Sequence, residues 1–210
     1  SEISDIEDIY RPFKFEPNHK EKIYTKDQWS IITNELKLQY DSIKTQKDLI
    51  KFRLYIQNTH KVVLSNSDFI KAYNHLGIDD PKLKYLMTKK KNKSNSGVIV
   101  VTVLTSAHPI YVDENGVEQR TKFSCAWDCH YCPNEKAHAG NNYVDQPRSY
   151  LFQEPAVLRA NENNFDPVLQ FNARVSTLIH IGHNIDKIEL IILGGTWCSY
   201  PKEYQDTFIT

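Results

Sequence analysis

From Lys26 onward apolar residues return every three or four positions, at Trp29, Ile32, Leu36 and Tyr40. That is the period of a helix with one buried stripe, and Thr25 or Asp27 can open it. Leu49, Phe52 and Tyr55 predict a second helix over about 46–57. Phe69, Ile70, Tyr73 and Leu76 predict a third, which begins near Ser67 or Asp68 and stops at Gly77, and a short fourth follows Pro81. Amphipathic helices of this kind pack into a small helical domain, expected over 25–96. Residues 1–24 precede it as an irregular arm with Tyr10, Phe13, Phe15, Pro12 and Pro17.

After Gly97 the period changes. Residues 98–104 are a continuous, mostly β-branched run, as in a strand covered on both faces of a parallel sheet. Ile110-Tyr111-Val112 and residues 117–123 flank Asn115-Gly116, a strong hairpin-turn signal, so an antiparallel hairpin is expected there. A short helix over about 154–162, a longer one from Asp166 or Pro167 to Ile181 closed by Gly182, and a buried-type strand over 187–193 follow. Pro201 opens a last helix. Strand, helix, strand, helix over 97–210 predicts an α/β fold, the beginning of a barrel or of an open parallel sheet. Loops at the C-terminal ends of such strands carry the site. Residues 125–132 and 194–196 are both loops of that kind.

Charge divides the chain where the period does. The 26 basic and 26 acidic residues balance overall. Residues 22–96 nevertheless hold 15 Lys and Arg against 7 Asp and Glu, and residues 97–210 hold 8 against 13. A basic half points to a polyanionic partner, or equally to a solvated lysine-rich surface. Lys89, Lys90, Lys91 and Lys93, in a stretch too polar to bury, read as a linker, a phosphate-contacting surface, or both. No apolar run is long enough to cross a bilayer, and the acidic start is unlike a secretory leader, so a soluble, cytoplasmic protein without membrane partners is expected.

Three of the four cysteines fall within eight positions, in Cys125-Ala126-Trp127-Asp128-Cys129-His130-Tyr131-Cys132-Pro133. Cysteines so clustered make a poor core pattern. Three thiolates on one loop suit a 4Fe-4S cluster held by three irons with the fourth open, since sulfur is the soft ligand that such clusters take. Structural zinc is the alternative, and needs a fourth ligand from Cys198, His130 or His138. A disulfide framework does not suit so few cysteines in a chain of this length.

The spacing C-x-x-x-C-x-aromatic-C, with Tyr131 in the aromatic place, resembles the cluster-binding signature of the radical S-adenosylmethionine (SAM) superfamily. Gly194-Gly195-Thr196 resembles the superfamily's Gly-Gly-acidic turn, with Thr196 in place of the acid. The ordered series Tyr131-Cys132-Pro133-Asn134-Glu135, Arg148-Ser149-Tyr150-Leu151, Leu158-Arg159-Ala160, Asn164-Phe165-Asp166-Pro167 and Leu193-Gly194-Gly195-Thr196-Trp197 narrows this. From about Ser96 to Phe208 the chain resembles the catalytic subunit of Elongator and its single-chain microbial relatives, the tRNA wobble-uridine carboxymethyltransferases.

The resemblance implies a tRNA-modifying enzyme. Its cofactors would be a 4Fe-4S cluster on Cys125, Cys129 and Cys132 and SAM beside Tyr131, Gly194, Gly195 and Thr196. SAM cleavage would yield a 5'-deoxyadenosyl radical, and acetyl-CoA would supply the carbon added to C5 of the wobble uridine. The basic helices and Lys89, Lys90, Lys91 and Lys93 would meet tRNA. The implied fold is the first part of a radical SAM (β/α) partial barrel with an inserted hairpin. The rest of the barrel, a zinc-binding part and the domain that holds acetyl-CoA would have to come from further sequence or a second polypeptide. The alternative is a non-catalytic tRNA- or protein-binding fragment with a structural zinc or cluster.

Overall fold

The computed structural model describes residues 23–89, 96–123 and 125–210. Most of the N-terminal arm, with Lys90, Lys91 and Lys93, lies outside them. The described residues form two compact units, one of residues 23–89 with 176–184 and the other of residues 96–123, 125–175 and 185–210.

In the first unit the helices are α1 (Lys26–Gln39), α2 (Gln46–His60), α3 (Asn66–His75) and α4 (Pro81–Met87). Thr25, Thr45 and Ser65 each begin a helix with a reciprocal capping box, closed by Gln28, Asp48 and Asp68. The third helix thus starts one or two residues before the apolar pattern suggests, because Ser65 is the better-placed cap. Asp80 caps α4 ahead of Pro81. Ile32, Leu36, Leu49, Ile56, Phe69, Leu83 and Met87 are fully buried together, which accounts for the helical stripes. Asp68, itself buried, accepts from the Tyr24 hydroxyl at 2.8 Å. Burial and that carboxylate push the Tyr24 phenol well above its ordinary pKa.

The second unit mixes helix and sheet, as expected of an α/β chain. Strand β1 (Ile99–Leu104) pairs in parallel with β4 (Ile188–Leu193), Ile99 opposite Ile188 and Leu104 opposite Leu193. Between them run the antiparallel hairpin β2 (Ile110–Val112) and β3 (Glu118–Arg120), then α5 (Pro155–Glu162) and α6 (Pro167–His180). Helix α7 (Lys202–Ile209) follows. Leu104 packs with Val157 and Ala160 of α5 on one face of β1. On the other face Val103 meets Tyr200, Tyr204 and Phe208. Phe123, just after the hairpin, stacks on Tyr200 with ring centroids 4.4 Å apart, and Tyr200 stacks on Tyr204 at 5.2 Å. No described helix is long and apolar enough to cross a membrane.

The two strands differ in a way their similar composition conceals. Ile99 and Thr105 donate their N–H groups to Lys187 and Leu193 of the β4 segment, so the alternate residues of β1 turn their backbone outward. Side chains take those groups. Gln170, fully buried on α6, accepts from Leu104 N at 2.8 Å and donates to Leu104 O at 2.9 Å, and Arg159 of α5 donates to Thr102 O at 3.4 Å. At Thr102 and Leu104 that edge of β1 is therefore occupied, while Val100 stays 44% exposed. Strand β4 is not the buried strand its sequence suggests: Leu190 is 51% exposed and none of its six residues is buried, because it stands at the edge of the described sheet.

Gln170→Leu leaves two buried backbone groups of β1 without partners, at a cost of about 2–5 kcal/mol. Urea unfolding should show that loss, and a change under 0.5 kcal/mol would mean that water reaches this edge.

Candidate functional site

The parallel pairing sets the C-terminal ends of β1 and β4 side by side, and the two motifs follow from those ends. Cys125 Sγ lies 3.4 Å from Thr196 Oγ1, although 71 positions separate them. In the segment 125–133 the three cysteines are the half-buried residues and all the others are exposed, Trp127 and Tyr131 by 73% and 87%. A turn closed by Cys132 N–H donating to Cys129 O at 3.0 Å folds the second half of the loop. The Tyr131 phenol is raised in pKa, first by its hydrogen bond with Cys129 and then by electrostatic interaction with the same side chain. The Cys125 thiol is lowered, first by the Thr196 hydroxyl, then by the Trp127 backbone, with the Arg148 guanidinium assisting.

A strap of three consecutive residues holds this loop. Arg148 donates to Trp127 O at 3.2 Å and pairs with the Asp128 carboxylate, which raises its own pKa. Ser149 N–H donates to Pro133 O at 3.0 Å, and Ser149 Oγ lies 2.8 Å from Cys132 Sγ. Tyr150 reaches the other motif, its hydroxyl accepting from Gly194 N–H at 3.2 Å. Ser149 takes a left-handed backbone, φ 78°, which costs a non-glycine residue about 1–2 kcal/mol and is held by those two contacts. Downstream of the loop, Glu135 accepts from Phe152 N–H, and Asp145 from Ala137 N–H. Each carboxyl lies below its ordinary pKa, chiefly through those amides.

The glycine turn is required first by the chain itself. Gly194 has φ 147°, and a Cβ there would lie 1.7 Å from Thr105 Oγ1. A Cβ at Gly195 would lie 2.2 Å from the Phe123 ring. Both glycines therefore admit close packing of Thr105 and Phe123, so a bulky substitution at either tests packing before it tests a ligand. Thr196 is exposed.

Three half-buried thiols, none in a disulfide, on one loop with a thiolate-favouring Cys125, have the donor chemistry of an iron–sulfur cluster. Among the described residues no three His, Cys, Asp or Glu side chains are already gathered as a metal site. Of the further ligands that zinc would need, His138 uses both ring nitrogens, one accepting from Gly140 N–H at 3.0 Å and one bonded to Glu135 at 3.1 Å. A pocket of about 180 Å³ adjoins Cys125, walled also by Phe123, Glu135, Asp145, Gln146 and Arg148. Gln146 Oε1 and Arg148 Nε in that wall are buried without a hydrogen-bond partner among the described residues. Of the four lysines singled out, only Lys89 is described, and it is exposed.

Sequence reasoning did not assign roles to Thr105, Phe123, Arg148, Ser149, Tyr150 or Tyr200. The run Arg148-Ser149-Tyr150 carries a signal, a cation, a hydroxyl and a phenol together in a turn-rich segment, but only the fold shows what each reaches.

Thr196→Val should raise the pH midpoint for alkylation of Cys125, read in a chain whose other cysteines are serine. The thiolate loses its strongest stabilising donor, so its pKa returns toward the ordinary thiol range. An unmoved midpoint would mean that the two side chains do not interact in solution.

No family model matches the sequence. Among curated proteins, the chain is 39% identical over 124 residues to a tRNA uridine(34) acetyltransferase of Methanocaldococcus jannaschii, covering 59% of this chain and 20% of the relative. It is 34% identical over 137 residues to Elongator complex protein 3 of Saccharomyces cerevisiae, covering 63% and 22%, and 34% identical over 130 residues to the human protein of that name, covering 60% and 21%. The chain thus spans about a fifth of the length of the curated relatives it matches. Over the matched stretch it is similar to the group its motifs resemble, that of Elongator protein 3 and the tRNA uridine(34) acetyltransferases.

Proposed function

We propose that this chain is the N-terminal and first radical SAM portion of a tRNA-modifying enzyme that carboxymethylates C5 of the wobble uridine, with acetyl-CoA as carbon source. The observation that carries the reading is the 3.4 Å approach of Cys125 to Thr196, which unites a three-thiol loop with a glycine turn at the ends of two paired strands. The names of the relatives, each concerned with tRNA uridine or with Elongator, support it.

In this reading Cys125, Cys129 and Cys132 hold a 4Fe-4S cluster, and their side chains turn toward one point on loading. Cys198, exposed on a separate turn, is not a ligand. The cluster with SAM supplies a reductively generated carbon radical. Tyr131 stands beside the cofactor's adenine and residues 194–196 beside its methionine end. Arg148 and Ser149 keep the loop in place. Lys89, Lys90, Lys91 and Lys93 neutralise tRNA phosphates, which positions the substrate without selecting its sequence.

The open edge of β4, with Leu190 exposed, receives a further strand from additional sequence or a second polypeptide. Closing that side would shield a radical from water. The binding of acetyl-CoA belongs to the same additional part.

Anaerobic reconstitution tests the metal assignment. The unmodified chain and Cys198→Ala should gain about four irons and four sulfides per chain. Cys125→Ala, Cys129→Ala and Cys132→Ala should each lose the brown chromophore. A chain that takes up zinc alone, or three variants that all keep the chromophore, would overturn the assignment.

A further inference from the structure

Two of the three loop sulfurs have a hydroxyl beside them. Thr196 Oγ1 is 3.4 Å from Cys125 Sγ, and Ser149 Oγ is 2.8 Å from Cys132 Sγ. The second contact is made from an unusual backbone. Ser149 has φ 78°, in the left-handed region where a Cβ is strained and glycine is not. Its N–H donates to Pro133 O at 3.0 Å, a bond that glycine would make as well. That bond therefore does not account for a serine, and the hydroxyl is what the strained side chain adds. Cys132 Sγ also lies 3.9 Å from the Pro133 carbonyl, which can only accept, so it can bond the thiol but not the thiolate that a metal takes. The Ser149 hydroxyl can donate to the thiolate.

From this we infer that Ser149 is a positioning residue that acts through Cys132: its hydroxyl donates to the Cys132 sulfur of the loaded loop and makes the bound cluster easier to reduce. The inference rests on the proposed cluster reading and deepens it. The two groups stay together on loading because their backbones are joined beside the contact, by Ser149 N–H to Pro133 O, while Cys132 N–H closes the turn on Cys129 O at 3.0 Å. A reduced 4Fe-4S cluster carries one more negative charge, shared with its sulfurs, so a hydrogen bond to a ligand sulfur favours the reduced form. Ser149 is exposed, so water competes for the sulfur and the effect is that of one modest hydrogen bond.

Ser149→Gly removes the hydroxyl and the strain together, whereas Ser149→Ala removes the hydroxyl alone. In the anaerobically reconstituted chain, without SAM, both should keep the iron and sulfide content of the unmodified chain, and both should show a lower cluster reduction potential in a mediated titration followed by electron paramagnetic resonance. The expected fall is roughly two- to tenfold in the reduction equilibrium, or about 18–59 mV for a one-electron couple. The metal-free melting temperature should separate the two variants, Ser149→Gly standing above Ser149→Ala. A potential that follows the melting temperature, lowered in Ser149→Ala and unchanged in Ser149→Gly, would mean a merely structural role. A potential unchanged in both, or a cluster lost from both, would mean that the hydroxyl does not tune the metal. Each of these results overturns the proposal. The contact itself is read without metal, in a chain whose other three cysteines are serine: the Raman S–H band of Cys132 should move in Ser149→Gly, and an unmoved band overturns the contact. If that band moves but the unmodified chain takes up no cluster, the cluster reading fails, and the proposal with it.

Discussion

Everything at the site depends on the parallel pairing of β1 with β4. Antiparallel neighbours would have sent the two following loops to opposite ends of the sheet, whereas parallel ones with Leu104 opposite Leu193 deliver both to the same end. Thr105 and Gly194, the next residues on each strand, then approach so closely that only glycine fits the second position. Cys125 and Thr196 meet as a consequence of that register. A one-residue slip would reverse the faces of the strand and part them.

The pairing is held unequally on its two sides. On β1, Gln170 and Arg159 do with side chains what a neighbouring strand would do with its backbone. On β4 the apolar residues Leu190 and Ile191 stay exposed. Among the described residues, the longer open edge of this sheet is that of β4. The segment of the hairpin, which the family resemblance reads as an insertion, contributes to the site through Phe123 just after β3, whose ring lies beside Gly195 and on Tyr200.

Much of this was legible in the chain's periodicities. The apolar stripes located the four N-terminal helices to within a few residues, and the β-branched run and Asn115-Gly116 located β1 and the hairpin. The cysteine spacing marked the loop that the fold does bring to the glycine turn. What the sequence could not disclose depends on distant partners. The exposure of β4 is set by which strands surround it, and composition reports only that it could be buried. The grip of residues 148–149 on the cysteine loop, and the bond from Gly194 N–H to the Tyr150 hydroxyl across 44 positions, are relations that leave no period behind.

The central claim is that the cysteine loop and the glycine turn form one cofactor site. Its most direct measurement is the release of 5'-deoxyadenosine from SAM by the anaerobically reconstituted, dithionite-reduced chain. Release that requires all three loop cysteines is the result this account predicts. A chain fully loaded with iron and sulfide that binds no SAM and releases no 5'-deoxyadenosine would contradict it.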